Sequence, residues 1–253
     1  MNDTRIFSER YILRYRDVDM FGRWKPESIF ILMQEISDCH TVVLNSDRAA
    51  LIEHGIVWVL SRMHVHMDRY PVVGDVVEMT TWPGVGNRFM FPRHYLFRDK
   101  QGNTFGCATS IWVLLDIHTR KSLPASALPV PMPDTSDIAA PLPMPKKLHI
   151  PDEPWSGSLT ISPRFQDYDV NGHVNNTRYA AWFTDIPELE YHQSHVLSDL
   201  QINYSQEILP GTPLHMDYIW RQDTLSCHGQ NAEGVFFQAQ GIFIPVHPEV
   251  SML

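Results

Sequence analysis

The sequence predicts an α+β fold built from two similar units, and three observations lead to this prediction. The segments that begin at Arg14 and at Arg164 match each other at a constant offset of 150 residues. Each segment continues into an apolar pattern with helical periodicity, and alternating apolar stretches typical of β-strands follow. A helix whose apolar stripe is covered by an antiparallel sheet accounts for all three observations.

The matching segments open with a polar loop. RYRDVDMFGR at residues 14–23 aligns with RFQDYDVNGH at residues 164–173, and the arginine, both aspartates and the glycine coincide. Aspartate and asparagine side chains bond to nearby backbone groups, and glycine accepts left-handed conformations. This composition predicts a tight turn in both copies.

An apolar stripe follows each loop. Its residues recur at i, i+3, i+4 and i+7, which places them on one face of a helix. We expect a long helix in each unit, and the second starts near Thr177 with Asn175 and Asn176 as caps. The two stripes are Ile29, Leu32, Met33 and Ile36, and Tyr179, Trp182, Phe183 and Ile186.

The remainder of each unit has the pattern of antiparallel strands. The first unit turns at Gly74-Asp75 and the second at Pro210-Gly211. Between the units, the stretch from Leu123 to Pro154 is dense in proline, which fixes an extended backbone and predicts a semi-rigid connector. We therefore divide the chain into an N-terminal unit at residues 1–128, a linker at 129–150 and a C-terminal unit at 151–253.

Composition and charge exclude several classes of function. The chain has 253 residues and a formal net charge of −9, whereas nucleic-acid partners require a basic surface. No segment approaches the roughly 18 consecutive apolar residues of a membrane span. The N-terminus lacks the apolar core of a signal peptide. We expect a cytoplasmic protein with no nucleic-acid partner and no membrane span.

The cysteines and histidines give no strong signal for a disulfide or a metal. Cys39, Cys107 and Cys227 lie far apart, without CxxC spacing, so we expect reduced thiols. His64 and His66 share one face of a predicted strand. Because no third ligand stands at a fixed spacing from them, we predict no metal site.

Several blocks of the chain resemble the acyl-acyl-carrier-protein thioesterases. WVLSR, RYPVVGD, TTWP and SIWVLLDIHTRK occur in the first unit, and DVNGHVNN and YSQEI in the second, in the order of that family. The resemblance implies a double hotdog fold, in which antiparallel sheets each wrap a long central helix. Because no transit-peptide composition is seen, we expect a bacterial member that resembles the plant fatty acyl-carrier-protein enzymes.

The resemblance also implies an activity. The expected reaction is hydrolysis of the thioester that joins a fatty acyl chain to the phosphopantetheine of acyl carrier protein. The phosphopantetheine belongs to the substrate, so no separate cofactor is expected. The first unit is expected to shape the acyl pocket, and the second to carry the catalytic residues.

The resemblance places the catalytic residues at Asp169, Asn171, His173 and Glu207. Many plant members have a cysteine directly after this glutamate, whereas this chain has Ile208, so a cysteine nucleophile is excluded there. We favour His173 as general base or activator of a nucleophile, polarised by Glu207. Asp169 would align the water or attack the carbonyl, and Asn171 would donate to the substrate or oxyanion. Which carboxylate has which part stays open.

The first unit has lost most of this polar set. Asp19 corresponds to Asp169 and is also an aspartate, but the other three positions have different residues. If these polar residues served only the structure of the turn, both copies should tolerate similar replacements. Because only the second unit has the full polar set, we infer that these residues have a chemical role there. The replacements, with Gly74 aligned to Gly211 for the last, are Phe21 for Asn171, Arg23 for His173 and Tyr70 for Glu207.

Three alternatives and two questions about partners stay open. The chain could be an acyl-CoA thioesterase, an enoyl-thioester hydratase or a fatty-acyl binding module without activity. Acyl carrier protein is acidic and this chain is net negative, so we expect a local basic patch that draws on Arg178, Lys146 or Lys147. A homodimer is possible.

Overall fold

The computed structural model describes residues 3–246, which contain eleven strands and four α-helices. In the first half these are β1 (Phe7–Ile12), α1 (Pro26–Val43), α2 (Arg48–Ile52), β2 (Ile56–Met67), β3 (Val76–Pro83), β4 (Phe91–Arg98), β5 (Thr104–Asp116) and β6 (Ser122–Leu123). In the second half they are β7 (Gly157–Ile161), α3 (Arg178–Thr184), α4 (Leu189–Ser194), β8 (His195–Tyr204), β9 (Leu214–Arg221), β10 (Thr224–Asn231) and β11 (Gly234–Pro245).

The two halves share one antiparallel sheet. Its strand order is β1-β3-β4-β5-β2-β8-β11-β10-β9-β7, and β6 pairs with β5. The halves meet where β2 pairs with β8, in a register that runs from Arg62 opposite Asn203 to His66 opposite Asp199. We call this pairing the seam. Main-chain hydrogen bonds therefore join the units directly.

Both main helices lie on one face of the sheet and contact each other. α1 starts with Pro26, whose missing N–H costs nothing at the first helical position. Its apolar face is buried in a core to which both halves contribute. From this helix the buried core residues are Ile29, Phe30, Met33 and Ile36.

The second helix is shorter than the sequence pattern predicts. α3 ends at Thr184 after seven residues. Pro187 has no N–H to donate to a helical hydrogen bond, and it disfavours helical backbone at Ile186. The apolar periodicity therefore extends beyond the last residue that can be helical. The prediction of a long second helix is wrong for this reason. The N-cap residue is Thr177, which makes no side-chain cap hydrogen bond, so the prediction of Asn175 and Asn176 as caps is wrong. Asn175 instead stabilises the preceding turn, where its Oδ1 accepts from the backbone N–H of Thr177 at 2.9 Å.

The proline-rich segment at 129–150 forms neither helix nor strand. It crosses the face of the sheet opposite α1, from β3 across β5 and the seam to β8. The division of the chain at residues 128 and 150 stays a prediction, and residues 247–253 of the C-terminal unit lie outside the described residues. The contacts along this path are Thr135 to the Pro83 carbonyl, Thr109 to the Leu142 carbonyl, Arg62 to the Pro145 carbonyl and Gln201 to the Lys146 carbonyl.

A second, smaller hydrophobic cluster lies apart from the main core and entirely within the first half. We call it the satellite cluster. Partly buried apolar residues, among them Trp58, Phe91 and Leu123, pack against it. Its buried members are Leu51, Ile56, Leu114 and Leu128.

None of the helices within residues 3–246 has both the length and the apolar character that crossing a bilayer requires.

Two buried histidines are neutral in the folded protein. The Nη1 of Arg93 lies 3.0 Å from His40 Nδ1, and because a guanidinium can only donate, His40 carries its hydrogen on Nε2 and donates to the Thr4 carbonyl. Burial lowers the pKa of His40 to about 4, and the charge of Arg93 acts in the same direction. Burial also lowers the pKa of His94 to about 4.

These histidines predict a loss of stability in mild acid. Between pH 6.5 and about 4 the unfolded chain binds protons that the folded chain rejects, so the free energy of unfolding falls as the pH is lowered through this window. The slope approaches about 1.4 kcal/mol per pH unit for each histidine. Urea unfolding at pH 7, 6 and 5 measures it. His94→Gln is expected to have a shallower slope than the unmodified chain, and equal slopes would contradict the assignment.

Candidate active site

The two duplicated loops have the same backbone structure. In the second, Asp169 N–H donates to the His173 carbonyl and Gly172 N–H donates to the Asp169 carbonyl, both at 3.0 Å. Gly172 has φ of 77°. In the first loop the corresponding bonds join Asp19 to Arg23 at 2.8 Å and Gly22 to Asp19 at 3.0 Å, with φ of 78° at Gly22.

The buried Asp167 stabilises the second loop through hydrogen bonds to its backbone. Asp167 accepts from the Arg164 N–H at 2.7 Å, and its carbonyl accepts from the Asn175 N–H at 2.8 Å. Arg178 pairs with Asp167 at 2.7 Å and also with Glu27 of α1. Arg178, whose side chain is 32% exposed, is therefore paired with carboxylates of both halves and is not the free cation that we expected in a docking patch.

The loop brings Asp169, Asn171 and His173 together. Asp169 Oδ1 accepts from the Asn171 N–H at 2.8 Å and lies 3.8 Å from His173 Nδ1. His173 Nδ1 is also 3.3 Å from the Val174 carbonyl. A carbonyl can only accept, so this contact requires hydrogen on Nδ1 and leaves Nε2 as the basic nitrogen.

Glu207 lies beside this loop but bonds elsewhere. It follows the end of β8, and the Val174 N–H donates to the Ile208 carbonyl at 2.9 Å, which ties its segment to the loop. Its Oε1 accepts from Arg120 Nη2 of the first half at 2.8 Å. Within residues 3–246 no hydrogen bond or ion pair joins Glu207 to His173, so the geometry does not show the expected polarisation of the imidazole by this carboxylate.

An open cavity of about 420 Å³ adjoins Glu207. Arg120 and Glu207 line it together with Ser205, Thr212 and Phe236. The cavity is therefore mainly polar and shared by both halves. On the helix side of the seam, a second cavity of about 10 Å³ has an apolar lining that includes Ile29, Phe30, Val65, Met67 and Leu200.

In the first unit, the side chains of Arg23 and Tyr70 fill the positions that correspond to His173 and Glu207. Arg23 pairs with Asp19 at 3.1 Å and donates to the His192 carbonyl of α4 at 2.8 Å. Tyr70 donates to the Leu197 carbonyl at 2.6 Å. The backbone bond from Trp24 to Pro71 at 2.9 Å matches the bond from Val174 to Ile208, so Tyr70 does stand where Glu207 stands in the second unit.

The cysteines show no sign of activation. All three are free thiols. Ile208 is fully buried in the main core. Burial raises the pKa of Cys107 to about 11 and also raises the pKa of Cys227, so both thiols resist forming the nucleophilic thiolate.

His64 and His66 bond to a carboxylate across the seam. Asp199 Oδ1 lies 3.2 Å from His64 Nε2 and 3.1 Å from His66 Nδ1. In the part of the chain that the structure describes, no group of three or more His, Cys, Asp or Glu residues is arranged to hold a metal ion. These histidines therefore have a structural partner.

Sequence reasoning missed the arginines that contact the site. Arg48 donates to Asn171 Oδ1 at 3.2 Å, and Arg120 binds Glu207. Arg120 stands within the block SIWVLLDIHTRK, but no spacing in the sequence indicates that it reaches the other unit.

Matches to family models follow the two units. Residues 4–126 match the acyl-ACP thioesterase N-terminal domain, and residues 154–234 match the acyl-ACP thioesterase C-terminal domain. The chain belongs to the acyl-ACP thioesterase family.

Curated relatives within this family include plant proteins. An oleoyl-acyl carrier protein thioesterase of Coriandrum sativum is 30% identical over 221 residues, which cover 81% of this chain and 60% of the relative. The acyl-[acyl-carrier-protein] hydrolase FATB3 of Cuphea viscosissima is 27% identical over 218 residues, which cover 82% and 53%. The family member described here spans about half the length of the curated relatives it matches.

Solved structures establish the fold of this family member. An acyl-ACP thioesterase from Bacteroides thetaiotaomicron superposes with a TM-score of 0.85 at 22% identity, over 95% of this chain and 98% of its own. A 12:0-ACP thioesterase from Umbellularia californica gives 0.82 at 22%, over 97% and 99%. The predicted double hotdog fold is confirmed.

The loop geometry predicts a specific cost for a side chain at Gly172. A Cβ there meets no atom within 4 Å, so Gly172→Ala is penalised only by its left-handed backbone, by about 1–2 kcal/mol of unfolding free energy. Gly22→Ala is expected to cost a similar amount. Gly172→Asn is expected to cost less, because asparagine tolerates this conformation. Urea unfolding compares the three, and equal losses for alanine and asparagine at 172 would contradict the explanation.

Proposed function

We propose that this acyl-ACP thioesterase family member hydrolyses the thioester of fatty acyl-acyl carrier protein and so releases free fatty acid for lipid metabolism. The observation that carries the proposal is that the two loops have the same backbone structure but different side chains. The second loop keeps Asp169, Asn171 and His173 and is tied by the Val174–Ile208 backbone bond to the segment of Glu207, which lines an open cavity. In the first loop Arg23 fills the place of His173 and pairs with Asp19. The family match favours hydrolysis over hydration.

His173 acts as the general base in this proposal. Its Nε2 takes a proton from water, and the nearby carboxylate of Asp169 stabilises the resulting imidazolium. Glu207, at the cavity, aligns the water. The leaving thiol resembles cysteine, with an ordinary pKa of about 8.5, so its departure needs little acid assistance. The reaction uses water and side chains, with no cofactor beyond the phosphopantetheine that the substrate carries.

Asn171 supplies a hydrogen-bond donor for the developing oxyanion. α3 is short, and Asn175 already accepts from the Thr177 N–H at its start, so the helix end contributes less than a long helix would. A side-chain amide is an effective alternative donor, and removal of one such donor typically costs about 10²–10³-fold in rate.

The structure contains little free space for an acyl chain. The cavity between α1 and the seam holds about one water molecule, and its lining is apolar. We propose that the acyl chain enters on this side of the sheet and displaces side chains such as Phe30 and Met67. Chain-length preference would then depend on how far these residues move.

Acyl carrier protein is the proposed partner. The chain is net negative, and Arg178 is paired with Glu27 and Asp167, so the exposed Lys146 and Lys147 are the remaining cations of the expected patch. The loss of Arg178 from that patch makes an acyl-CoA ester the second candidate substrate. A cytoplasmic location and a homodimer stay predictions of the sequence.

Matched substrates distinguish the two candidates. We expect kcat/KM to be at least tenfold higher for an acyl-acyl-carrier-protein than for the CoA ester of the same chain, because only the carrier adds a protein surface to the interaction. Thiol release is followed over a series of saturated and unsaturated chains. Equal values would favour the CoA substrate, and no release from either would refute the proposed function.

Loss of the imidazole tests the proposed base. We expect His173→Ala to lower kcat at least 100-fold, within the usual range for a general acid–base group, while the variant stays folded. Phe21→Ala, at the first-loop counterpart of Asn171, is the control and is expected to keep kcat within about twofold of the unmodified chain. A loss below tenfold in His173→Ala would remove this residue from the mechanism.

A further inference from the structure

Two arginines of the first half contact two candidate catalytic residues of the second half. Arg48 Nε donates to Asn171 Oδ1 at 3.2 Å, and Arg120 Nη2 donates to Glu207 Oε1 at 2.8 Å. Both arginines are exposed, and both contacts cross between the units. The polar residues of the second unit are therefore not held by that unit alone.

The backbone of Arg48 is fixed by local bonds. Asp47 caps α2, with Oδ1 accepting from the Ala49 and Ala50 N–H groups at 2.9 and 3.3 Å. Leu51 of the same helix is fully buried in the satellite cluster. Arg48 lies between the capping residue Asp47 and the buried Leu51, so the position of its backbone is fixed.

The backbone of Arg120 is fixed by the turn between β5 and β6. Asp116 Oδ1 accepts from the His118 and Thr119 N–H groups at 3.0 and 2.7 Å. The Arg120 N–H donates to the Asp116 carbonyl at 2.9 Å, and Arg120 has a positive φ of 58°. β6 then pairs with β5, and its Leu123 packs on the satellite cluster.

The satellite cluster thus supports both arginines. It is built from first-half residues only and lies apart from the main core. Its elements α2, β5 and β6 carry Arg48 and Arg120 to positions that face the other unit. Exposed ion pairs contribute little to folding stability, so stability alone is a weak explanation for this arrangement.

Each contact also has a chemical consequence. Arg48 can only donate, so it takes the oxygen of the Asn171 amide and turns the NH₂ group away, where Nδ2 lies 3.5 Å from Asp169 Oδ2. An amide NH₂ group has two hydrogens, so one of them stays available to an oxyanion. Arg120 donates to Oε1 of Glu207, no other group among residues 3–246 bonds to this carboxylate, and Glu207 lines the cavity.

We propose that Arg48 and Arg120 are positioning residues, which orient Asn171 and Glu207 from the opposite unit. The inference rests on the proposed function. It adds that the degenerate first unit is required for the chemistry of the second, through the satellite cluster and these two guanidinium groups.

The kinetic test uses Arg48→Gln, Arg120→Gln and Arg120→Lys. We expect each glutamine variant to lower kcat about tenfold with KM within threefold, because misplacement of a catalytic group acts on the chemical step. Lysine at 120 keeps the charge and is expected to restore part of kcat. In a Glu207→Gln background, Arg120→Gln is expected to have no further effect.

Arg10→Gln is the matched control. Arg10 forms an exposed ion pair with Glu78 at 2.8 Å within the first half, away from the loop, so its loss is expected to leave kcat unchanged. An unchanged or increased kcat in Arg120→Gln would overturn the inference for Arg120, and an increase would mean that the arginine masks Glu207.

A second measurement does not depend on activity. The side-chain amide signals of Asn171 in a ¹H–¹⁵N spectrum, assigned with Asn171→Ala, are expected to shift in Arg48→Gln and not in Arg10→Gln. Unchanged signals in Arg48→Gln would overturn the inference for Arg48. If the unmodified chain hydrolyses no thioester, the proposed function fails, whereas a shifted amide would still support the orientation of Asn171 by Arg48.

Discussion

The pairing of β2 with β8 is the interaction on which the rest of the structure depends. It joins two sheets into one through main-chain hydrogen bonds and places α1 beside α3 on the same face. It also brings first-half side chains within bonding distance of the second loop, as the contacts of Arg48 and Arg120 show. The linker crosses this seam on the opposite face. The candidate site is thus a product of the junction as much as of either unit.

The duplicated loops separate the requirements of structure from those of chemistry. Buried Asp17 and Asp167 organise the same turn in both copies, and a left-handed glycine closes each one. What differs is which groups the turn presents. In the first copy Arg23 satisfies Asp19 and bonds to the other unit, so the place is filled. In the second copy His173 keeps its basic nitrogen free of the contacts that hold Nδ1.

The sequence predicted part of this site because the relevant interactions are local. Asp169, Asn171 and His173 lie within five residues, and a turn places them together whatever surrounds it. The length of the second helix was wrong because an apolar period shows which face is buried and not where the backbone can continue past Pro187. The contact of Glu207 with Arg120 was not predicted because Arg120 stands 87 positions earlier in the chain.

The sequence by itself determined the repeat, the α+β class, the two turns and the loss of polar residues from the first copy, since these depend on local composition and on residue-by-residue comparison. Only the tertiary structure decided that the units share one sheet, that Arg178 pairs with carboxylates of both halves, and that first-half arginines contact Asn171 and Glu207. The physical reason is that strand pairing and side-chain contacts between distant segments depend on how the whole chain packs, which no local pattern encodes.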